Sequence, residues 1–495
     1  MPKSRREFLR SGLAGGGALA LAALGGHAAG ASERRNVLLI CVDDLRPQLD
    51  CYGREKMITP NLDAFAATAR RFAHHYVQVP LCGPSRYTML TGSRCPLNYG
   101  NGTQGMWRTE REGLPAPMPQ FFQQHGYRTV CLGKVSHHPG NQVQDGRADM
   151  PKGWDLAYAP VGPWGTPWGA FFGYADGSIR AYGQGTDDRT KPAFEAADVP
   201  DTGYADGLNA QEAVKQLREL SKREEPFFLA VGFYKPHLPH TAPKKYWDLY
   251  ERETVGLAAY DQPPAKVDPE ISLHDSPELT THYAWPSGPG KVTEEEACRT
   301  RHAYFACVSY VDAQIGKVLD ELDRLGLDDN TVVVLWGDHG WHLGDHGIWG
   351  KMTTYDYGVQ SPLIIRAPGL SHPGEPAEAV VETADIYPTL ADLCGLEAPE
   401  HVDGTSLRPV IEAAGHAGKG YAFSSWRRGH TRSLRTARYR VIEHRDKKGK
   451  VLQVELYDEQ DDPLETTNIA DEHPALTAEL LARLEAEHSL DPFFV

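Results

Sequence analysis

The chain has 495 residues, 41% of them hydrophobic, enough for one large globular domain and a smaller one. A net charge of −15 argues against nucleic acid as a partner, and it means that an anionic ligand would need a locally basic pocket. The eight cysteines form no CxxC pair and no dense disulfide framework, which argues against a zinc ribbon.

Ser4-Arg5-Arg6-Glu7-Phe8-Leu9-Arg10 precedes an Ala/Gly/Leu run, and Ala29-Gly30-Ala31 is a small-residue cleavage pattern. Residues 1–31 therefore read as a twin-arginine signal peptide. That reading implies a bacterial protein exported through the Tat translocon, periplasmic or secreted. The apolar run is short and Gly-rich for a spanning helix, and no later segment is both long and uncharged. No stable membrane span is expected in the mature chain.

Val37 to Val42 is a continuous apolar run, the pattern of a strand buried on both faces. Thr59-Pro60 opens a helix with Leu62, Phe65, Ala66, Ala69 and Phe72 on one face. Arg128 to Leu132 and Phe227 to Phe233 read as further buried strands. Residues 150–205 and 255–293 read as loops. An amphipathic helix is expected over 305–325, with Gly326 at its C-terminal end. Thr331 to Trp336 and Pro362 to Arg366 are the next strands. Tyr439 to His444 and Val451 to Tyr457 are short alternating segments, and a terminal helix starts near Pro474. The alternation predicts an α/β fold: a large, mostly parallel sheet sandwiched by helices over 34–412, and a smaller antiparallel α+β subdomain over 420–492.

The chemistry is read from where the strands end. In open α/β sheets ligands bind outside the carboxyl ends of the strands. Four expected strands run into polar groups there: Asp43-Asp44, Lys134 with His137-His138, Lys235-Pro236-His237, and Asp338-His339. Asp43, Asp44 and Asp338 packed together would repel, and a hard divalent cation would resolve that. The bland alternative is that these aspartates cap helices and stay solvated. Cys82 in Leu81-Cys82-Gly83-Pro84-Ser85-Arg86 would sit at a helix N-terminus, which favours an anion. Its alternative role is that of a small buried hydrophobe.

Cys82-Gly83-Pro84-Ser85-Arg86, followed by Leu90-Thr91-Gly92, resembles the maturation motif of the sulfatase family, and the likeness extends over nearly the whole mature chain. Within that family the chain looks most like the iduronate-2-sulfatase branch. Val42 to Pro47, Cys51-Tyr52-Gly53, Gly133-Lys134-Val135, Phe227 to His237, Asp338 to Trp341 and Asp462-Pro463-Leu464 carry that match. The resemblance implies the alkaline-phosphatase-like fold and a formylglycine made from Cys82 by a generating enzyme acting before folding. It implies a calcium or magnesium ion held by Asp43, Asp44, Asp338, His339 and residue 82. It further implies that Arg86 stabilises residue 82, that Lys134 and His137 hold its oxygen and the sulfate, and that His237 and Lys351 meet the sulfate from the leaving-group side. The expected substrate is a sulfated oligo- or polysaccharide, with a 2-O-sulfated uronic acid as the analogy. Ser136 replaces the family's aromatic, so His138 competes with His137 for its role. Rival readings are a phosphate or phosphonate monoesterase of the same superfamily and an exported glycan-binding protein with a plain thiol at Cys82. Trp154, Trp164 and Trp168 read as packed loop aromatics or sugar platforms. His342 and His346 read as supports of the cation site or as core, and Arg427, Arg428 and Arg432 as a contact for a substrate carboxylate or, by default, as a solvated cluster.

Overall fold

Asn36–Val42 (β1) is buried along its whole length in the computed structural model, which describes residues 34–54, 57–95, 116–181 and 189–489. The expected signal peptide, residues 1–31, lies outside the described residues. Leu38, Ile40 and Val42 enter one apolar cluster, and Val37, Leu39 and Cys41 enter another. A strand that feeds two cores has no polar face, hence the unbroken apolar run.

The elements that position the site follow in chain order. Pro60–Ala67 (α1) leads to Arg70–Tyr76 (β2), and Cys82–Thr91 (α2) precedes Arg128–Gly133 (β3) and Leu156–Tyr158 (β4). Pro167–Phe171 (α3) and Ala205–Leu220 (α4) come before Phe227–Phe233 (β5). Pro277–Thr280 (α5) and Glu294–Arg324 (α6) lead to Thr331–Gly337 (β6), Leu363–Arg366 (β7) and Ala377–Glu382 (β8). The main sheet has eight strands in the order β8-β2-β7-β6-β1-β5-β3-β4. β6, β1, β5, β3 and β4 are parallel neighbours, and β7 is antiparallel to both β6 and β2. Helices α1, α4 and α6 cover one face, while α2 and the helix over Ile386–Leu393 cover the other.

α6 is longer than its sequence expectation over 305–325. It starts at Glu294, where Thr293 and Glu296 form a reciprocal capping box. Its first turns are charged and carry no apolar stripe, so periodicity misses them. The stretches 150–205 and 255–293, expected as loops, contain the short elements β4, α3 and α5.

After Arg408–Glu412 (α7), Tyr421–Trp426 (β9), Thr431–Thr436 (β10), Tyr439–Arg445 (β11) and Val451–Asp458 (β12) form an antiparallel sheet in chain order, packed against Pro474–Ser489 (α8). Arg432 is not solvated as expected: it is buried against Glu443 and Glu485. No helix among the described residues is long and apolar enough to cross a membrane, and no two cysteines are joined in a disulfide.

Candidate active site

Strands β6, β1, β5 and β3 are adjacent and parallel, so their carboxyl ends share one edge of the sheet. β1 delivers Asp43 and Asp44. Successive strand residues normally point to opposite faces. Asp44 breaks that alternation with a left-handed backbone (φ 58°), a strained state for a residue with a Cβ. β6 delivers Asp338 and His339, β3 delivers Lys134, and β5 delivers Lys235 and His237. Gly133 ends β3 at φ 66°, and a Cβ there would stand 2.0 Å from Gly232 O, so the residue before Lys134 must be glycine.

Cys82 is the first residue of α2 and is buried at the centre of this edge. Its Sγ lies 3.2 Å from His339 Nε2, 3.5 Å from Lys351 Nζ and 3.9 Å from Asp44 Oδ1. α2 is fixed by its own first turn: Ser85 Oγ donates to Asp338 O, and Arg86 Nε donates to Asp338 Oδ2 at 2.9 Å. Arg86 also reaches Asp43 Oδ1 at 3.2 Å and the carbonyls of Lys134 and Val135. Gly92 closes the helix at φ 68°, where a Cβ would meet Val402 Cγ1 at 2.7 Å. The Leu90-Thr91-Gly92 sequence thus has a steric reason.

Three cations lie against three carboxylates. Lys134 Nζ is 2.5 Å from Asp43 Oδ2, Lys351 Nζ is 2.8 Å from Asp44 Oδ1, and Arg86 bridges Asp43 and Asp338. Lys351 reaches the site because the hairpin His342–Leu343/Trp349–Gly350 turns the chain back. Burial raises Asp43, but Lys134, His237 and Arg86 outweigh it and hold this carboxyl well below the usual range. Burial pushes Asp44 up despite Lys351, and burial followed by Asp43 pushes Asp338 up to about 6.

The cluster fits a cation by the chemistry of its donors. Ligand atoms of Asp43, Asp44, Cys82 and His339 all lie within 4.8 Å of one another, and Asp44 Oδ2 is buried with no hydrogen-bond partner. Asp338 stands at the edge of this group, its Oδ1 3.5 Å from His339 Nε2 and 2.9 Å from the Asp44 backbone nitrogen that donates to it. Burial, then Lys351, lowers His339 to about 4, so its imidazole is neutral at neutral pH. Nδ1 donates to Gly340 O at 2.9 Å, which leaves the Nε2 lone pair facing the cluster. Carboxylate oxygens suit a hard ion, whereas a sulfur at residue 82 does not.

On the outer side, His237 Nε2 is 3.9 Å from Asp44 Oδ2 and 3.3 Å from Glu278 Oε1. The same Glu278 oxygen is 3.3 Å from Lys351 Nζ. Sequence reasoning missed Glu278, which sits in the one-turn helix α5 and belongs to no motif. It also missed Phe171, whose ring lies 4.1 Å from Lys134 Nζ and 4.7 Å from the His237 ring. Lys235 Nζ donates to the carbonyls of His237 and Pro239, which holds the His237 loop in place. His137 has a buried Nδ1 with no partner among the described residues; burial, then Lys134, pushes its pKa well down. The His138 ring lies 5.3 Å from the His137 ring and 5.7 Å from that of Trp168.

Several other candidates fall outside the cluster. His342 bonds to Asp345 O and Thr353 Oγ1, and His346 bonds to Leu464 O, so both serve packing. Trp154 and Trp164 are buried in the fold. Trp168 is half-buried with its ring 5.5 Å from that of His137.

Comparison with known proteins agrees with this geometry. The family described as Sulfatase matches residues 35–396, and the family N-sulphoglucosamine sulphohydrolase, C-terminal, matches residues 344–489. Iduronate 2-sulfatase of Mus musculus is 33% identical over 400 residues, covering 74% of this chain and 70% of that protein. A solved phosphonate monoester hydrolase from Silicibacter pomeroyi superposes with TM-score 0.71 at 24% identity, covering 92% of this chain and 96% of that one. A structure described as a 2-O GAG sulfatase superposes with TM-score 0.66 at 21% identity, covering 92% of each chain. These two share the fold. The chain belongs to the sulfatase family and is a sulfuric ester hydrolase.

Proposed function

We propose that this sulfatase removes sulfate from a 2-O-sulfated uronic acid, or a similar unit of a sulfated polysaccharide, with Cys82 oxidised to formylglycine as its nucleophile. The carrying observation is the buried meeting of Cys82 Sγ with His339, Lys351 and Asp44. Burial and Asp43 push the Cys82 thiol well up, so an unmodified cysteine here is not a ready thiolate. The sugar assignment draws on iduronate 2-sulfatase and the 2-O GAG sulfatase among the similar proteins.

Asp43, Asp44, Asp338, His339 and an oxygen on residue 82 would hold calcium, or magnesium. Bound there, the ion lowers the pKa of a neighbouring hydroxyl and offsets charge on the sulfuryl oxygens. A hydrated formylglycine has one oxygen to attack sulfur and a second hydroxyl whose deprotonation expels sulfate. Asp338 receives the proton of the attacking oxygen. Lys134, Lys351 and the N-terminus of α2 stabilise the sulfuryl group, and Arg86 holds residue 82. His237 protonates the departing sugar oxygen, and His137 takes the proton of the second hydroxyl. We assign residues 34–412 to the catalytic domain, 420–492 to the C-terminal subdomain and 1–31 to Tat-dependent export to the periplasm or beyond.

The mass of the peptide spanning residue 82 tests the nucleophile: aldehyde or its hydrate is expected, and a plain thiol in active enzyme overturns it. Cys82→Ala is expected to abolish sulfate release from a 2-O-sulfated uronic acid while the thermal melt stays within a few degrees. Phosphate and phosphonate esters run beside it should be poorer substrates. Chelation of divalent ions should lower the melting temperature as well as activity, with calcium restoring both. A melt indifferent to chelator and calcium argues against the cation.

A further inference from the structure

Arg180 is only 5% exposed, yet among the described residues it has no ion-pair partner. Its Nε donates to His282 O at 2.8 Å, and its two terminal nitrogens bond to no described group. Three other buried arginines of this chain are answered by carboxylates: Arg46 by Asp345, Arg86 by Asp43 and Asp338, Arg440 by Asp356. A buried charge without a counter-charge is costly, and in a chain of net charge −15 it is conspicuous.

Two rings lie against this guanidinium. Its Cζ lies 5.2 Å from the Phe172 centroid and 4.8 Å from the Tyr283 centroid. The terminal nitrogens, which bond to no described group, are the part of a guanidinium that pairs bidentately with a carboxylate. The Phe172 ring is also 6.2 Å from the His237 ring, so a single aromatic ring separates Arg180 from the leaving-group side of the reaction centre. The segment that follows Glu278 supplies both His282 and Tyr283.

We propose that Arg180 is a specificity-determining subsite for a carboxylate on the substrate. It receives the carboxylate of the uronic acid whose sulfate ester lies at residue 82, across the sugar ring from the sulfate. This rests on the uronic acid reading above. It gives the Phe172 and Tyr283 rings a role in holding the guanidinium in place.

The test measures kcat and KM of wild type, Arg180→Met and Arg180→Lys on three esters: a 2-O-sulfated uronic acid disaccharide, its carboxyl-reduced form and nitrophenyl sulfate. Carboxyl reduction should lower wild-type kcat/KM by about 50-fold, the size of a lost charge-assisted pair, mostly through KM. Arg180→Met should lose about the same factor on the carboxylated ester, much less on nitrophenyl sulfate, and little more on the reduced ester. Arg180→Lys should recover part of the loss. Equal losses on all three esters, or no loss on the carboxylated one, overturn the subsite while the uronic acid reading stands. A wild type that cleaves nitrophenyl sulfate but no sulfated uronic acid overturns the uronic acid reading, and the subsite falls with it.

Discussion

One oxygen of Glu278 lies 3.3 Å from both His237 Nε2 and Lys351 Nζ, so this carboxylate ties together the two groups on the leaving-group side. Burial would raise its pKa, but Lys351 and His237 outweigh burial and hold it well below the usual range. His237 Nδ1 already donates to Leu238 O at 2.5 Å, so Nε2 is the nitrogen left to serve a substrate oxygen. Glu278→Gln should therefore matter in proportion to the leaving group's need for a proton. Turnover of a sugar sulfate, whose alkoxide is a poor leaving group, should fall by about 10-fold or more, whereas nitrophenyl sulfate should fall only about twofold. Equal losses on both would reduce Glu278 to a structural partner of Lys351. His137 and His138 separate on the same logic. His137 lies within electrostatic reach of Lys134, Asp43 and Arg86, and its replacement by alanine should slow sulfate release far more than that of His138.

At the scale of the element, α2 is the part whose placement decides the chemistry. Its first turn is pinned to Asp338 and its last residue is followed by Gly92 in the left-handed region. Gly92→Ala adds backbone strain of about 1–2 kcal/mol plus a contact with Val402. The expected outcome is a lower melting temperature and a lower kcat with KM little changed, because the displaced helix carries residue 82. The carboxyl-edge cluster was legible in the sequence because β1, β5, β6 and β3 are buried on both faces, and continuous apolar runs announce such strands. β2 was not, since Arg70-Arg71-Phe72-Ala73-His74-His75-Tyr76 carries charge and imidazole; Arg70 is buried only because carbonyls of Ser371, Glu375 and Ile411 accept from it. Glu278, Phe171 and Arg180 were illegible for another reason. They come from stretches without periodicity, and only tertiary packing brings them to the site.

Over the whole molecule, the C-terminal sheet is docked through Glu455, a fully buried carboxylate on β12. Its Oε1 accepts from Ser272 Oγ at 2.6 Å and from Gln453 Nε2 at 2.8 Å, and it lies 2.8 Å from His444 Nε2; its Oε2 accepts from Tyr355 and Tyr457 hydroxyls at 2.7 Å. Ser272 and Tyr355 lie outside the four-stranded sheet, so one charge joins that sheet to the chain that precedes it. Tyr355 lies four positions after Lys351, so the same joint steadies the segment that carries this lysine. Burial raises Glu455, but the hydrogen bonds and charge of His444 with those of Ser272 and Tyr457 outweigh it, taking the pKa from 4.5 to about 2. The folded value lies below the unfolded one, so the stabilisation is complete above about pH 4.5 and is lost as the pH falls toward 2. Glu455→Gln replaces an acceptor by an amide that presents its own N–H to these donors. The expected loss is about 3–5 kcal/mol at pH 7, the cost of breaking a buried charged network. Thermal melts from pH 7 down to pH 3 should show the wild type losing this increment and the variant changing less, so that the gap narrows in acid. A gap that stays constant with pH would mean that Glu455 stabilises by shape alone, and that the docking of the sheet does not depend on its charge.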